Sequence, residues 1–458
     1  MSDFKAHILC TDLAGPAFAG TDVVLDLRQA GFRVTMDSAN WGAATLEPDY
    51  LIADLRGTAP IAPSTIDDLH LLVAKHPTVP LFLLQTFAQQ RAGLSPMGLD
   101  IEATLITTDP GHEALLYALD RTITTTRIRA ECITRELSLA KLGNEEPRET
   151  SAKTLDPVRV LLAGSPCPAT LDLLQLFLRH DIEASAALTA PQAMRYLEII
   201  DFDVLVLMPG QKNATFLSLQ KLLRRHDRST SMPIVTLVDE TIDGADLIAD
   251  KFLVHKADAV FPISPTKATN TDQLIDRINS LSRLARENDA DKKYLRRALR
   301  TVRGDLMGLT TLEFFETHFL QSHQKASEPL CLAVFKLTAQ NDTQKAHKSY
   351  SQAMVYAAMM GRETDIITRG SHDLLLMLMP KTTTQEAEKL RQQIIHVIQD
   401  LKFSRTDENG FANITVSSAV IHINPAAQPE EEIARAIRSM TVTFGRANAT
   451  KPELVFET

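Results

Sequence analysis

Two apolar segments of this chain carry nearly the same pattern: PDYLIADLRG at residues 48–57 and FDVLVLMPG at residues 202–210. Each is short and almost continuously apolar, which is typical of a strand buried on both faces of a parallel sheet. Amphipathic segments of helical period separate further short apolar runs on either side, and this alternation predicts βαβ units. The two strands lie about 154 residues apart in the numbering, so we expect a whole domain to be duplicated.

The pattern continues along the chain as three folded parts and two connections. The first two parts are predicted to be doubly wound five-stranded α/β domains, and the last to be a mixed α+β domain with a hairpin near residues 366–380. The stretch EEEIARAIRSMTVTF at residues 430–444 is expected to close the last domain as a helix. The predicted parts are residues 1–125 (first module), 126–156 (helix extension and linker), 157–284 (second module), 285–304 (helical connector) and 305–458 (last domain).

Composition and charge limit the class of protein. The chain has 458 residues, 44% of them hydrophobic and 5% aromatic, and its formal net charge is -9. An acidic chain without a basic stripe and interleaved aromatics argues against a nucleic-acid partner. No run approaches the ~18 apolar residues of a membrane span. The four cysteines are scattered without a CxxC pair, so we expect free thiols and a cytoplasmic location.

Both predicted α/β modules resemble response-regulator receiver domains, whose phosphoacceptor Asp ends the third strand. In the first module that residue is Asp54, and Asp12 after the first strand is the one candidate for a metal-binding carboxylate. The resemblance implies Mg²⁺ at the first module only, although Asp109 stands where the family has a Lys. The alternative is that Asp54 only caps a strand end. Met208 replaces the acceptor in the second module, which we expect to be a packing or dimerisation adaptor.

The last domain resembles the GGDEF, or diguanylate cyclase, family over roughly residues 304–455. The resemblance is carried by GLTTLEFF, RGSHDLLLMLMP, AEKLRQQI and ITVSSAV. Leu374 stands at the essential acidic position and Lys336 aligns with the metal-binding Asp of the first strand, so cations that neutralise a triphosphate have no ligands there. The resemblance therefore implies a domain that has lost cyclase activity. The signature Gly-Gly-Asp-Glu-Phe is replaced by Ser371, His372, Asp373, Leu374 and Leu375.

Arg362 and Asp365 form the RxxD pattern of that family's inhibitory product site, at its usual spacing before the signature turn. A guanidinium can fork onto a guanine edge or a phosphate, and a carboxylate can accept guanine N–H groups. The resemblance implies that these two residues bind cyclic di-GMP, with a further Arg from a neighbouring domain that the sequence does not identify. The alternative is an i,i+3 ion pair at a helix end, worth about 0.2–0.5 kcal/mol.

The order of the three domains resembles the PleD and PopA type of response regulator. The resemblance implies a non-enzymatic cyclic di-GMP effector in cell-cycle control, acting as a homodimer that recruits protein partners such as a protease adaptor and its substrate at a cell pole. One alternative is a residual diguanylate cyclase. Another is a nucleotide-free scaffold controlled by phosphorylation of Asp54.

Overall fold

The computed structural model describes most of the chain. The described residues are 7–12, 20–37, 48–55, 63–85, 101–106, 113–144, 146, 156–210, 213–225, 231–264, 271–306, 308–323, 329–339, 343–370, 374–400, 414–424 and 428–443. The chain forms two compact units. The parallel-sheet unit consists of Ala6–Ile123 and Thr150–Asp289, and the antiparallel-sheet unit consists of Met1–Lys5, Thr124–Glu149 and Ala290–Thr458.

The first sheet of the parallel-sheet unit has five strands in the order β2-β1-β3-β4-β5, all of them parallel. Every residue of its third strand, YLIAD, is buried, as its continuous apolar pattern predicts. The strands are β1 (His7–Asp12), β2 (Arg33–Asp37), β3 (Tyr50–Asp54), β4 (Leu81–Gln85) and β5 (Ile101–Ile106). The helices are α1 (Gly20–Gln29), α2 (Pro63–Lys75) and α3 (Glu113–Lys141).

The second sheet repeats this arrangement, because its order β7-β6-β8-β9-β10 places successive strands as in the first sheet and all pairs are again parallel. Its third strand, VLVLM, is likewise buried throughout. The strands are β6 (Val158–Gly164), β7 (Ile182–Ala187), β8 (Val204–Met208), β9 (Ile234–Asp239) and β10 (Ala259–Ile263). The helices are α4 (Pro168–Arg179), α5 (Ala190–Ile199), α6 (Asn213–Leu223), α7 (Ala245–Val254) and α8 (Thr271–Thr301).

The antiparallel-sheet unit contains the third sheet, in the order β12-β13-β11-β14-β15. The hairpin expected near residues 366–380 is the pair β12–β13. The strands are β11 (Leu330–Ala339), β12 (Ile366–Arg369), β13 (Leu374–Pro380), β14 (Ile414–His422) and β15 (Thr441–Thr443). The helices are α9 (Leu312–His323), α10 (Thr343–Met360), α11 (Thr384–Asp400) and α12 (Pro429–Arg438).

One expectation for this unit is wrong at its end. Residues 430–444 do not form a single helix, since α12 ends at Arg438 and Thr441–Thr443 forms the edge strand β15 paired with β14. The Thr-Val-Thr sequence is β-branched at each position, which lowers helix propensity and suits a pleated edge. Local sequence and an available strand edge therefore override the helical period of the preceding residues.

Both faces of the third sheet are covered by apolar clusters. Alternate residues of a strand point to opposite sides of the sheet, so neighbouring residues pack with different clusters. Val334 and Leu376 pack with one cluster, and Phe335 and Met377 pack with the other. The first cluster also takes apolar residues from the second halves of two long helices: Ile128, Cys132 and Leu139 of α3, and Tyr294, Leu295 and Ala298 of α8. The helical part of the predicted linker at residues 126–156 thus supplies core to this unit.

No helix in the described ranges combines the length and the apolar character that crossing a membrane requires.

Candidate functional site

The RxxD turn, residues 361–365, joins the end of α10 to β12. The Asp365 N–H donates to the Arg362 carbonyl oxygen at 3.0 Å, and the Arg362 N–H donates to Asp365 Oδ2 at 2.8 Å. These two bonds close the turn reciprocally, in the way a short polar side chain often satisfies nearby backbone donors. A Cβ on Gly361 would lie 2.6 Å from Ile367 Cδ1, so a larger residue there would displace the end of the Ile367 side chain.

The two RxxD side chains differ in exposure. The Arg362 side chain is exposed, and its Nη1 reaches Thr382 Oγ1 at 3.5 Å. Asp365 is only 3% exposed, and its Oδ1 atom has no hydrogen-bond partner among the described residues. No ion pair joins the two side chains in this described turn, so the contact between these residues runs through the Arg362 backbone. The guanidinium is therefore open to a planar acceptor, whereas the carboxylate faces inward.

Burial sets the electrostatics of the inward carboxylate. Loss of solvent raises the pKa of Asp365 from its ordinary 3.8 to about 6, and the opposing effects of the Arg362 backbone N–H and the Arg362 charge do not cancel it. Glu131 adds to this rise, and Arg135 opposes it. A carboxylate with one unpaired buried oxygen and a raised pKa gains from any new N–H donor.

A fully buried arginine of α3 holds the turn from the inside. Arg135 is 0% exposed and donates from Nε to Glu131 Oε1 at 2.7 Å, from Nη1 to the Leu295 carbonyl oxygen at 3.0 Å and from Nη2 to the Glu363 carbonyl oxygen at 2.6 Å. Arg296 of α8 binds the same turn by donating from Nε to Glu363 Oε1 at 2.8 Å. Residue Glu363, between the two RxxD residues, is thus bound through both its backbone and its side chain.

The buried charge of Arg135 belongs to a small network. His318 Nε2 of α9 lies 3.1 Å from Glu131 Oε1, and His318 Nδ1 lies 3.1 Å from Ser138 Oγ. Burial works against ionisation of Glu131, but the charges and hydrogen bonds of His318 and Arg135 outweigh it and hold the pKa of Glu131 below its ordinary value. The Glu131–Arg135 ion pair in this network is therefore hydrogen-bonded, which is the condition under which ions persist in a core.

Next to the turn lies a small cleft of about 30 Å³. Arg127 of α3 lies at this cleft, and its Nη2 atom is 3.7 Å from Glu386 Oε2 of α11. The residues around the cleft come from α3, α9, the RxxD turn and the one end of the β11–β13 pair where Leu330 and Pro380 are partners: Arg127, Ala130, Glu131, Thr134, Ser322, Pro329, Leu330, Thr364, Pro380 and Lys381.

The signature turn lies at the other end of the β12–β13 hairpin. Ser371, His372 and Asp373 lie outside the described residues. Leu374 is 7% exposed, packs into the core and pairs with Lys336 in the β11–β13 register, while Lys336 itself is exposed. The fold thus brings together the two residues that the sequence comparison singled out at the acidic positions, and neither carries a carboxylate.

The two parallel sheets place their candidate residues in equivalent positions. Asp12 and Asp54 are partners in the β1–β3 register, and Gly164 and Met208 are partners in the β6–β8 register. Asp54 is 2% exposed. A Cβ on Gly164 would lie 2.5 Å from the Met208 carbonyl oxygen, so the second sheet has no room for a side chain there. Asp109 lies outside the described residues, and those that are described hold no cluster of three or more metal-ligating groups.

No protein-family model matches this chain, and neither does any curated protein. Among solved structures it is similar to the coiled coil and GGDEF domain of DgcB from Caulobacter crescentus in complex with c-di-GMP, at 20% identity over 37% of this chain and 90% of that one, with a TM-score of 0.28. Diguanylate cyclase SiaD in complex with its activator SiaC from Pseudomonas aeruginosa matches at 18% identity over 37% and 68% of the two chains, with a TM-score of 0.28.

A further similarity falls on receiver domains. The signal receiver domain of a signal transduction histidine kinase from Syntrophus aciditrophicus matches at 14% identity over 28% of this chain and 90% of that one, with a TM-score of 0.24. The structural neighbours at low identity are therefore receiver domains and GGDEF domains.

Sequence reasoning missed the residues that bind the RxxD turn from the helices. Arg135 and Arg296 are both far from Glu363 in the chain, and only the fold brings them to the turn. The one local signal was the Glu131 to Arg135 spacing of i,i+4, which on an isolated helix predicts a surface ion pair rather than a buried one.

Proposed function

We propose that this chain is a non-catalytic cyclic di-GMP effector: a degenerate GGDEF domain, in the antiparallel-sheet unit, that binds the messenger through Arg362 and Asp365. The two parallel sheets are receiver modules, of which the first alone keeps carboxylates at the acceptor and metal positions, Asp54 and Asp12. The bound form recruits protein partners, with a protease adaptor as the class that the resemblance suggests.

The observation that carries the proposal is the contrast between the two ends of the β12–β13 hairpin. At one end, Arg362 presents an exposed guanidinium beside a carboxylate that lacks one hydrogen-bond partner. At the other end, Leu374 and Lys336 face each other where phosphoryl transfer needs metal-binding carboxylates. Residues suited to holding a guanine base are thus present, and residues suited to joining two GTP molecules are absent from the described part of this hairpin and its partner strand.

Calorimetric titration of the full chain with cyclic di-GMP tests the proposal. We expect saturable binding by the wild type and at least about tenfold weaker binding by Arg362→Ala, because a charge-assisted hydrogen bond contributes roughly 1.5–3 kcal/mol. The matched control is Arg369→Ala, at the far end of β12, whose guanidinium pairs with Asp305 at 3.1 Å. Unchanged affinity in Arg362→Ala, or no binding by the wild type, contradicts the proposal.

Turnover on the same samples separates the alternatives. Incubation with GTP and Mg²⁺ is expected to yield no cyclic di-GMP, because Leu374 and Lys336 cannot hold the metal. Product formation would instead establish the residual cyclase. Absence of both binding and turnover, together with loss of partner recruitment in Asp54→Asn, would favour the scaffold controlled through the first receiver module.

A further inference from the structure

The RxxD turn lies against α3 at two successive residues, Glu363 and Thr364. The Glu363 carbonyl oxygen accepts the 2.6 Å hydrogen bond from Arg135, and Thr364 lines the same cleft as Arg127 and Glu131. Asp365 is 97% buried, and its ionisation is influenced by both Glu131 and Arg135. The second half of this helix therefore holds the two turn residues that precede the buried Asp365 carboxylate.

The same turn is open on its outer side. Arg362 is exposed, so a ligand can meet the guanidinium without any rearrangement. Asp365 Oδ2 instead accepts a hydrogen bond from the Arg362 backbone N–H, and Asp365 Oδ1 is buried without a hydrogen-bond partner. One half of the RxxD pair is thus ready for a ligand and the other half is held inside.

We propose that Arg135 fastens the RxxD turn to the second half of α3, residues 124–141, and that cyclic di-GMP engages Asp365 only when the turn is released from Arg135. The proposal rests on the proposed function and adds its regulation. Arg135 is a positioning residue: it holds the Glu363 carbonyl oxygen and thereby the conformation in which Asp365 faces inward. Because linkage is reciprocal, a ligand that prefers the open turn also favours loss of the hydrogen bond from Arg135 to the Glu363 carbonyl oxygen.

The network is suited to fastening rather than to permanent structure. Arg135 makes one hydrogen bond to each of three elements, α3 itself, α8 and the turn, so losing the turn leaves its bonds to Glu131 and Leu295 in place. The charge consequently stays paired when the turn moves. An opening that leaves no buried ion alone is far less costly than one that breaks the pair.

The test compares cyclic di-GMP affinity in full-length variants. Arg135→Met is expected to bind on the order of tenfold more tightly than the wild type, since the closed state is no longer favoured. The matched control is Arg129→Met on the same helix, whose Nε lies 4.0 Å from Asp291 Oδ2 and which is expected to bind as the wild type does. Should Arg135→Met fail to fold with Glu131 left behind, the double variant Glu131→Gln with Arg135→Met removes both charges together.

Hydrogen exchange on the wild type gives a second readout that needs no variant. Saturation with cyclic di-GMP is expected to increase exchange of the Arg362 amide, because a ligand that engages the Asp365 carboxylate removes the acceptor of that N–H. Slower or unchanged exchange of that amide, or equal or weaker binding by Arg135→Met, overturns the fastening by Arg135 while leaving the proposed function intact.

Failure of the proposed function looks different, because neither the wild type nor Arg135→Met then binds the dinucleotide. In that case the ligand-free proteins decide whether Arg135 fastens the turn. Faster exchange of the Arg362 amide in Arg135→Met than in Arg129→Met supports the fastening, and equal exchange overturns it as well.

Discussion

At the scale of single residues, Asp365 is the position where stability and the proposed ligand binding conflict. Its carboxylate closes the turn through Oδ2, yet it is buried with Oδ1 unpaired and its pKa is raised to about 6. Leaving a buried acceptor unmatched costs about 1–3 kcal/mol. Such a cost is common where a group must be available for a ligand, and the turn keeps an acid there rather than an amide.

Replacing Asp365 by Asn is expected to change how stability depends on pH. Because the pKa is about 6 in the folded chain and 3.8 ordinarily, the folded state holds this proton more tightly than the unfolded state. The protonated Asp365 therefore contributes to the unfolding free energy at pH values below 3.8, and this contribution is lost as the pH rises through the folded-state pKa of about 6. Relative to Asp365→Asn, the wild type should lose about 2 kcal/mol of unfolding free energy between pH 4.5 and 7.5.

Urea denaturation at several pH values measures this difference. The control is Asp246→Asn, at an exposed residue of α7. A wild-type minus Asp365→Asn difference that stays constant over the range would show that the Asp365 carboxylate is not held in a desolvated position.

At the scale of elements, a buried aspartate joins helices of the two modules within the parallel-sheet unit. Asp258, just before β10, pairs with Arg121 of α3, accepts from Arg224 Nη2 at 2.7 Å and accepts from the Ile234 N–H at 2.7 Å. Burial lowers the pKa of Arg224 to about 10, and the nearby Arg121 contributes in the same direction. The Tyr117 ring lies 5.8 Å from Arg224 Cζ, so α3 meets the second module through an aromatic face as well as a charge.

Asp258→Ala is expected to destabilise this unit by about 3–5 kcal/mol, because it leaves the Arg224 charge buried without its carboxylate. Urea denaturation followed by hydrogen exchange of β9 and α3 checks both the size and the location of the loss. The exposed Asp246→Ala serves as the comparison. A loss below about 1 kcal/mol would place Asp258 among surface ion pairs, whose contribution is of that order.

At the scale of the whole molecule, the two long helices α3 and α8 each contribute residues to both units. The core of the antiparallel-sheet unit includes Ile128, Cys132 and Leu139 from α3. A boundary drawn in the sequence between the last domain and the preceding modules therefore cuts through a core.

A fragment of residues 290–458 is expected to be markedly less stable than this unit in the full chain. It loses three buried α3 side chains at roughly 1.5–3 kcal/mol each and also loses Arg135. Adding a peptide of residues 124–146 should raise the thermal midpoint of the fragment, and a peptide carrying Arg135→Met should raise it less. A fragment that melts cooperatively, with a thermal midpoint that the peptide does not change, would contradict this account.

Local pattern was enough to anticipate much of the fold. Continuous apolar runs such as YLIAD and VLVLM bury all their side chains only in a strand that is covered on both faces. The repeat of that pattern predicts the strand order that the two sheets share. The end of α12 was mispredicted, because helical period and β-branched composition compete over Thr441–Thr443 and an available sheet edge decides between them.

The sequence by itself determined the chemical inventory: Asp54 and Asp12 in one module and Met208 in the other, Leu374 and Lys336 in place of carboxylates, and the spacing of Arg362 and Asp365. Only the tertiary structure decided which of these atoms are accessible. The fold buries Asp365 and leaves Arg362 exposed, and it buries Arg135 against a turn more than two hundred residues away in the chain. The reason is physical, since burial and long-range hydrogen bonds depend on which surfaces meet, and residue spacing carries no record of that.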